Sequence, residues 1–337
     1  MKTVNVIVNG RSLSRQVTGV ERYVTEILRC LGDRVQVVRP TGNFQGLIGH
    51  AWEQILLPGQ VTDHSILWSP ANTGPLAVSN QVLTVHDLSP LEHPEWFKPA
   101  FAAWYRLFLP VLIRRVKRVI TSSEYVRQKM IARFHLPQDQ VTAIPAGVNL
   151  DRFYRQNPPQ QYGRYILFVG SIEPRKNLAT LLKAWDLIEK RHSDVSLVLA
   201  GVSGPVFRKV HFSTDIERLQ LTGYVPDETL PALYSGADIL VLPSFDEGFG
   251  LPVLEAMACG TPVVASTQGA LPEVVGEAGI LFNPGNPAAL AEILSQCLSD
   301  LQLRKTLSLR GQKHVQQFSW QITAEKVWQT LQGVYET

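Results

Sequence analysis

The chain has 337 residues, of which 45% are hydrophobic, and a net charge of +3 at neutral pH. This size favours two domains over one large domain, and this composition is typical of a globular protein with a sizeable core. The small net charge, without a basic repeat or a stacked-aromatic module, argues against a nucleic-acid binder. The cysteines Cys30, Cys259 and Cys297 are too scattered for a disulfide framework or a metal site.

The first predicted element is a strand at residues 4–8, without a signal-peptide pattern. Further apolar, β-branched runs predict strands at residues 35–38, 65–68, 82–85, 118–121, 165–169, 196–200, 239–242, 262–265 and 280–282. Segments of helical periodicity, such as residues 178–191 and 287–301, lie between many of them. This alternation predicts an α/β fold, in which parallel sheets are covered on both faces and bind ligands at the carboxyl ends of their strands. No apolar run approaches the ~20 residues that span a bilayer. The scattered cysteines fit a reducing cytosol, so we expect a cytoplasmic protein.

The clearest boundary lies at residues 151–163, a polar and aperiodic stretch that contains two consecutive prolines and is typical of a linker. It predicts two similar α/β domains, residues 1–155 and 164–318, with a cleft between them. Residues 319–335 have a helical pattern. Its apolar face is formed by Trp320, Val327, Trp328, Leu331 and Val334.

Two motifs of the first half follow predicted strands. Gly19 stands at the start of a predicted helix over residues 20–31, where it either lets the backbone approach a ligand or belongs to a simple helix cap. The strand at residues 82–85 ends in His86-Asp87. His86 is either a hydrogen-bonded structural residue or a functional group, and Asp87 either fixes the tautomer of His86 or caps the next turn.

The segment at residues 96–118 is aromatic and apolar, with five cations between Arg106 and Arg118. Basic aromatic helices of this kind lie in membrane interfaces, and the alternative is a core helix with a basic outer edge. Ser123 and Glu124 then begin a helix, where a capped helix start and a ligand contact are both open interpretations.

The second half opens with a strand that ends at Gly170 and is followed by Arg175-Lys176. We expect the next helix to start at Asn177, with the asparagine as its N-cap. Two adjacent cations at the carboxyl end of a strand, beside a helix N-terminus, predict an electropositive pocket for an anion. The alternative is a solvated charge pair.

The most informative stretch is residues 244–260, a glycine-rich turn followed by a short predicted helix with Pro252 near its start and Gly260 at its end. Mobile backbone amides at a helix N-terminus bind anions, phosphate above all. Glu247 and Glu255 are eight positions apart, so both can face one ligand. Carboxylates accept hydrogen bonds from hydroxyls, and a sugar nucleotide carries hydroxyls on both sides of its diphosphate. The alternative is a βα turn with two solvated glutamates.

The segment from Glu247 to Glu255, with Gly-Phe-Gly-Leu-Pro inside it, resembles the signature of retaining glycosyltransferases of family 4. The pattern Gly-x-x-x-x-Arg-Lys-Asn, which starts at Gly170, resembles the second signature of that family. The resemblance covers nearly the whole chain and is strongest in residues 165–285. It implies the GT-B fold, two Rossmann-like domains with parallel sheets facing a central cleft, and a final helix at residues 319–337 that crosses back to the N-terminal domain.

The resemblance also implies roles for residues. Arg175 and Lys176 would hold the donor diphosphate, Glu255 the ribose hydroxyls and Glu247 the hydroxyls of the donor sugar. This chain has one glycine, Gly19, where many members have two. The implied donor-binding set is Gly19, Gly170, Arg175, Lys176, Val225, Glu247, Gly248, Phe249, Gly250, Leu251 and Glu255. The implied catalytic set is Glu247, His86, Lys176 and Arg175. The acceptor-side candidates are His86, Asp87, Ser123 and Glu124.

The expected activity is transfer of a sugar from a nucleoside diphosphate to a hydroxyl of a glycan or lipid-linked acceptor, with retention of configuration. The family needs no cofactor or metal for this chemistry, and the chain has no Asp-x-Asp motif for one. The short first domain and the segments at residues 69–75 and 84–88 look like bacterial mannosyltransferases of surface polysaccharide assembly, which favours GDP-mannose. A UDP-sugar donor, a non-catalytic nucleotide-sugar-binding subunit and a non-hydrolysing epimerase-like enzyme are the alternatives. Lipid-linked acceptors would bring the protein to the inner face of the membrane.

Overall fold

The computed structural model describes residues 5–14, 18–40, 46–62, 64–158, 160–212 and 215–335. Within these ranges the chain forms two six-stranded sheets, and every strand pairs with its neighbours in parallel. The strands are β1 (Asn5–Asn9), β2 (Gln36–Val38), β3 (Ser65–Ser69), β4 (Gln81–Val85), β5 (Arg118–Thr121), β6 (Val141–Ala143), β7 (Arg164–Val169), β8 (Val195–Ala200), β9 (Leu219–Gly223), β10 (Ile239–Leu242), β11 (Val263–Ser266) and β12 (Ile280–Phe282). The predicted α/β fold with parallel sheets is confirmed.

Helices alternate with the strands along most of the chain. They are α1 (Gly19–Leu31), α2 (Gly46–Ala51), α3 (Ser89–Glu92), α4 (Pro99–Ile113), α5 (Glu124–Phe134), α6 (Leu178–Ile188), α7 (Leu230–Gly236), α8 (Leu251–Ala258), α9 (Leu271–Val275), α10 (Pro287–Ser299), α11 (Leu301–His314) and α12 (Trp320–Tyr335). A π-helical turn over Trp52–Leu56 continues α2. None of the described helices combines the length and the apolar character that a membrane span requires.

The order of the strands in each sheet is that of a Rossmann-like fold. The first sheet runs β2-β1-β3-β4-β5-β6 and the second β12-β11-β10-β7-β8-β9. The direction of winding reverses between β1 and β3 in the first sheet and between β7 and β10 in the second. Loops diverge at such switch points and leave a crevice outside the carboxyl ends of the strands, where ligands bind.

Two strands were not predicted, β6 and β9, and both lie at the edge of a sheet. β9 is only partly buried along its whole length, and two of the three residues of β6 are partly exposed. Central strands such as β3, β4 and β10 are buried on both faces and therefore read as continuous apolar runs. The continuous apolar run that reveals a buried strand is absent from β6 and β9.

The chain divides into two compact units. The first takes in Met1–Glu92, Ala100–Gly147 and Ser319–Thr337, and the second His93–Pro99 and Val148–Phe318. Each unit holds one of the two sheets. The domain boundaries at residues 155 and 164 stay predictions.

Helix α12 packs against α1 in the first unit. Trp320 is buried and meets the ring of Tyr23 edge to face, with 5.9 Å between the ring centroids. Gly147 lets the backbone pass closely, because a Cβ there would lie 2.3 Å from the Trp320 nitrogen. The predicted apolar face is buried except for Trp328, which is partly exposed under the guanidinium of Arg34.

Helix α4 accounts for most of the basic aromatic segment. Tyr105 and Leu109 lie on the side that packs into a core cluster of the first unit. The opposite side exposes Arg106 and Leu107, the latter with 75% of its surface accessible, and Arg114 follows the helix on the surface. The segment therefore contributes both to the core and to an outer face that mixes cations with apolar side chains.

Candidate functional site

The residues predicted to bind an anion lie at the switch point of the second sheet. Arg175 and Lys176 follow β7 in a short 3-10 turn, and Glu247 follows β10, the neighbour of β7 in the sheet. Parallel strands end at the same edge, so these two loops meet there even though more than seventy residues separate them in sequence.

A carboxylate holds the two loops together. The Lys176 ammonium and the Ser244 hydroxyl both donate to Oε1 of Glu247, the latter at 2.8 Å. Arg175 Nη1 donates to Oε2 of Glu247 at 3.1 Å, and the same guanidinium reaches Glu173 Oε1 through Nε at 3.0 Å and Nη2 at 2.8 Å. The predicted electropositive pair is therefore built into a cluster of two cations and two carboxylates, not a solvated charge pair.

The charges in this cluster control the ionisation of Glu247. Burial alone would raise the pKa of its carboxyl, but the charges of Lys176 and Arg175 and the hydrogen bonds of Lys176 and Ser244 lower the pKa from 4.5 to about 2. Glu247 is thus an anion at any physiological pH, a hydrogen-bond acceptor only.

The loop after β10 is shaped by glycine. Gly250 has φ of 106°, a conformation that favours glycine, and it leads into α8. Gly269 lies against the loop so closely that a Cβ there would be 2.4 Å from the backbone nitrogen of Glu247, and the Ala270 amide donates to the Glu247 carbonyl at 2.8 Å. Phe249 is buried. The Gly248–Leu251 stretch is thus a supported turn at a helix N-terminus.

The second glutamate of the motif is buried in α8. Oε2 of Glu255 accepts a hydrogen bond from the Tyr234 hydroxyl at 2.8 Å. Neither Glu247 nor Glu255 is a solvated surface residue, so that alternative is wrong. Their common orientation towards one ligand stays a prediction.

Asn177 occupies the expected N-cap position of α6, but the expectation that its side chain caps the helix is wrong. Asn177 precedes α6 but adopts the left-handed conformation, with φ of 53°. Its amide nitrogen instead donates to the carbonyls of Pro243 and Pro284, each at 3.0 Å. The side chain therefore ties the loop after β7 to two other loops at the same edge of the sheet.

The other donor-binding candidates lie at strand or helix ends. Gly170 follows β7, and a Cβ at Gly170 would lie 3.6 Å from Cε of Lys176. Val225 is partly buried in the loop after β9, and Gly19 is the exposed first residue of α1. No group of three or more potential metal ligands occurs in the part of the chain that the structure describes. The expectation of metal independence stays a prediction.

His86 follows β4 in the first unit and is held by its surroundings. Its backbone N–H donates to the Asn72 side chain at 2.7 Å, and its Nε2 lies 2.8 Å from the Pro70 carbonyl. Burial lowers the pKa of the imidazole against the raising effects of the Pro70 carbonyl and the Asp87 charge. A carbonyl only accepts, so Nε2 carries the proton and the neutral ring presents Nδ1 as an acceptor.

The remaining acceptor-side candidates make local contacts at or near the starts of helices. Oδ1 of Asp87 accepts from the Ser89 amide at 3.0 Å, so Asp87 caps the next turn while Pro70 orients the His86 ring. The Ser123 hydroxyl accepts from the Val126 amide at 3.2 Å at the start of α5. Glu124 is exposed and pairs with Arg127 at 2.8 Å. A ligand contact by these residues stays a prediction.

The sequence analysis missed a buried polar network at the switch point of the first sheet. Oε1 of Glu53 accepts from Asn9 at 2.6 Å, from Arg11 at 3.1 Å and from the Thr73 hydroxyl at 3.0 Å. Burial would raise the pKa of Glu53, but contacts with His50, Arg11 and Asn9 lower it, so a fully buried anion lies beside the end of β1. The available sequence signal is weak: Glu53 and Gln54 interrupt an otherwise apolar segment from Trp52 to Leu57.

The low pKa of Glu247 predicts a pH-dependent contribution to stability. A carboxyl with a depressed pKa stabilises the folded state above its unfolded pKa of about 4.5, and that contribution is lost as the pH falls towards 2. Glu247→Gln should destabilise the protein by about 3 kcal/mol at pH 7, and by progressively less between pH 5 and pH 3. Urea unfolding across this range measures the difference.

Glu292→Gln is the matched control, because Glu292 is exposed on α10 of the same unit. Its stability difference from the wild type should stay near zero throughout. A Glu247→Gln deficit that is constant from pH 7 to pH 3 would contradict the electrostatic account.

Comparison with known proteins identifies the family. Residues 163–300 match the family model described as "Glycosyl transferases group 1", and residues 61–152 match "Glycosyltransferase Family 4". The chain is 34% identical over 261 residues to O-antigen chain mannosyltransferase B of Escherichia coli, an alignment that covers 73% of this chain and 68% of that protein. It is 32% identical over 224 residues to a D-inositol 3-phosphate glycosyltransferase of Paenarthrobacter aurescens, of which it spans 55%.

The fold has a close counterpart among solved structures. HepE of Anabaena, solved in complex with UDP and glucose, matches with a TM-score of 0.75 over 98% of this chain and 99% of that chain, at 20% sequence identity. Identity at this level supports the architecture alone. Together with the two family models and the relative in Escherichia coli, these matches show that the chain is a glycosyltransferase of family 4, with two Rossmann-like domains of the GT-B type.

Proposed function

We propose that the enzyme transfers a hexose from a nucleoside diphosphate sugar, with GDP-mannose as the favoured donor, to a hydroxyl of a glycan or lipid-linked acceptor, with retention of configuration. The observation that carries this proposal is the contact of Lys176 and Arg175 with Glu247, beside the glycine-rich start of α8. This arrangement supports the proposal because it brings together, at one switch point, the two cations that would hold the diphosphate and the carboxylate that would accept hydrogen bonds from the sugar.

The cations have a defined task in this scheme. Breaking the bond between the sugar and the diphosphate leaves negative charge on the departing phosphate, and fixed cations stabilise that charge more in the transition state than in the ground state. Arg175 offers a planar fork and Lys176 a point charge. Backbone amides from Gly248 to Leu251 would add hydrogen bonds to the same group.

The carboxylates would accept hydrogen bonds from hydroxyl groups of the donor. Glu247, ionised at physiological pH, would accept hydrogen bonds from the donor sugar, and Glu255 from the ribose. His86 would hold or polarise a reacting hydroxyl through Nδ1, because Nε2 is engaged by the Pro70 carbonyl. Retention would follow from attack on the face that the diphosphate leaves, with a diphosphate oxygen helping to remove the acceptor proton. No metal or other cofactor is needed in this scheme.

The choice of donor rests on the relatives. The relative in Escherichia coli is a mannosyltransferase of O-antigen chains, which supports mannose and a polysaccharide acceptor. HepE was solved with UDP and glucose, which keeps a UDP-sugar as the alternative donor. A non-catalytic binding subunit would bind nucleotide without turnover, and an epimerase-like enzyme would interconvert a free nucleotide sugar without an acceptor.

A thermal-shift titration with GDP, UDP, ADP and dTDP without added metal tests the donor assignment. A ligand that binds only the folded state raises Tm with concentration, and we expect GDP to do so most strongly. Glu255→Ala should abolish most of this shift, because the proposed ribose contact is lost. A larger shift with UDP would move the donor to a UDP-sugar, and no response to any nucleotide would overturn the nucleotide-sugar assignment.

Lys176→Ala tests the role of the cation in catalysis. Loss of one charge-stabilising donor typically costs about 3 kcal/mol of transition-state stabilisation, so turnover should fall roughly 10²-fold. The rate at which free nucleoside diphosphate is released measures the turnover. Lys183→Ala, which removes an exposed lysine of α6, should retain full turnover. Wild-type turnover in Lys176→Ala would remove Lys176 from the mechanism.

Peripheral membrane contact through residues 96–118 is part of the proposal, since a lipid-linked acceptor lies at an anionic surface. The outer face of α4, with Arg106 and Leu107, supports it. At low salt the protein should pellet with vesicles that contain anionic lipid and not with neutral vesicles. Leu107→Glu should weaken this binding, whereas Leu309→Glu, at an exposed leucine of α11, should not. Equal pelleting with both vesicle types, or none, would contradict it.

A further inference from the structure

Three aromatic rings of the second unit line up beside the glycine-rich loop. The rings of His93 and Trp96 stack at a centroid distance of 4.0 Å with 15° between their planes. Trp96 and Phe245 are also nearly parallel, with centroids 6.5 Å apart and planes within 20°. Each of the rings keeps part of its surface accessible to solvent.

The segment that carries Trp96 is fastened to the second unit although its neighbours in sequence belong to the first. The Arg208 amide donates to the Trp96 carbonyl at 2.9 Å, and the Lys98 amide donates to the Val206 carbonyl at 2.9 Å. Phe97 is buried and packs on Phe207, with ring centroids 5.0 Å apart. These contacts hold the backbone at Trp96 in place, so the partly exposed indole extends from a fixed position in this unit.

Phe245 is equally well placed by its backbone. Its amide donates to the Arg175 carbonyl at 2.8 Å, which fixes it two residues before Glu247 in the loop after β10. Ser244 and Asp246 on either side are buried, whereas 43% of the Phe245 surface is accessible. The loop thus exposes an aromatic ring two positions before the carboxylate of Glu247.

The spacing of the rings leaves aromatic surface uncovered. His93 lies against one face of Trp96, but a centroid distance of 6.5 Å means that Trp96 and Phe245 overlap little. An exposed apolar surface of this kind next to a polar site is typical of a ligand contact. The negative face of an aromatic ring attracts positively polarised hydrogens, and the C–H face of a pyranose presents a flat array of them.

We infer that Trp96 and Phe245 form a stacking site for a pyranose ring, adjacent to Glu247. The inference rests on the proposed function for the source of the sugar, which is either the transferred sugar of the donor or a sugar of the acceptor glycan. In both cases the aromatic rings hold the apolar face of the sugar while Glu247 and its neighbours bind hydroxyls. This platform of Trp96 and Phe245 then orients the sugar ring beside the proposed diphosphate site.

Phe245→Ala and Trp96→Ala test this site with two separate probes. Calorimetry with GDP and GDP-mannose, and with UDP and UDP-glucose, gives the contribution of the donor sugar as the difference within each pair. Saturation-transfer NMR with methyl α-D-mannopyranoside and α-1,2-mannobiose, at saturating nucleotide, reports on an acceptor sugar. We expect sugar affinity to fall roughly 3- to 10-fold in one of these measurements, with nucleotide affinity unchanged, as loss of an aromatic contact predicts.

The controls separate stacking from structure. Phe245→Tyr keeps a ring and should retain most of the affinity. Tyr154→Ala removes another aromatic side chain of the same unit, which is 52% exposed and lies outside the site, and should change nothing. Each variant should keep the wild-type Tm within about 2 °C, as expected for substitutions at exposed or partly exposed positions.

Each outcome decides the inference. Loss of the GDP-mannose or UDP-glucose increment assigns the platform to the donor sugar, and loss of the mannoside signal assigns it to the acceptor. If both are unchanged in Phe245→Ala and Trp96→Ala, the stacking site is wrong even though nucleotide binding by the wild type upholds the proposed function. If the wild type binds no nucleotide, the proposed function fails, and the mannoside measurement repeated without nucleotide still decides whether the rings bind a sugar.

Discussion

The contact of Glu247 with Lys176 and Arg175 is the interaction on which the candidate site depends. It joins the loop after β7 to the loop after β10, so it fixes the positions of both cations and of the carboxylate at once. Because the cluster is almost completely buried, removing one partner leaves uncompensated charge in a medium of low dielectric, which costs more than the pair contributes when intact. Under the proposed function, an incoming diphosphate would meet cations that are already oriented, and its binding would require little reorganisation.

The second unit was predictable because its chemistry is contiguous in sequence. Arg175 and Lys176 are adjacent, and the loop from Glu247 to Glu255 carries its glycines, proline and carboxylates within nine residues. Spacing alone therefore indicates which groups share a site, and the parallel sheet brings the two segments to one edge. What spacing could not show is that the cations and Glu247 neutralise one another, since that contact spans 71 or 72 positions.

The first unit was less predictable for the same physical reason. Glu53 contacts Asn9, 44 residues away, and Arg11, 42 residues away, so no local sequence pattern predicts the network. Local rules also failed where a side chain had a more distant partner. Asn177 has the residue type and position of an N-cap, yet its amide binds carbonyls 66 and 107 positions along the chain. Hydrogen bonds between residues that are distant in sequence cannot be predicted from the neighbouring residues alone.

The position of α12 in the first unit has a consequence for the order of folding. On the ribosome, the first unit emerges early but lacks the helix that buries Tyr23 against Trp320 until residues beyond 318 have been made. Every segment of the second unit, by contrast, has been synthesised by Phe318. N-terminal domains usually fold first during synthesis. In this protein the second unit has all its residues before the first unit does. The nascent first unit carries an incomplete apolar face through most of translation, and exposed apolar surface of this kind favours aggregation.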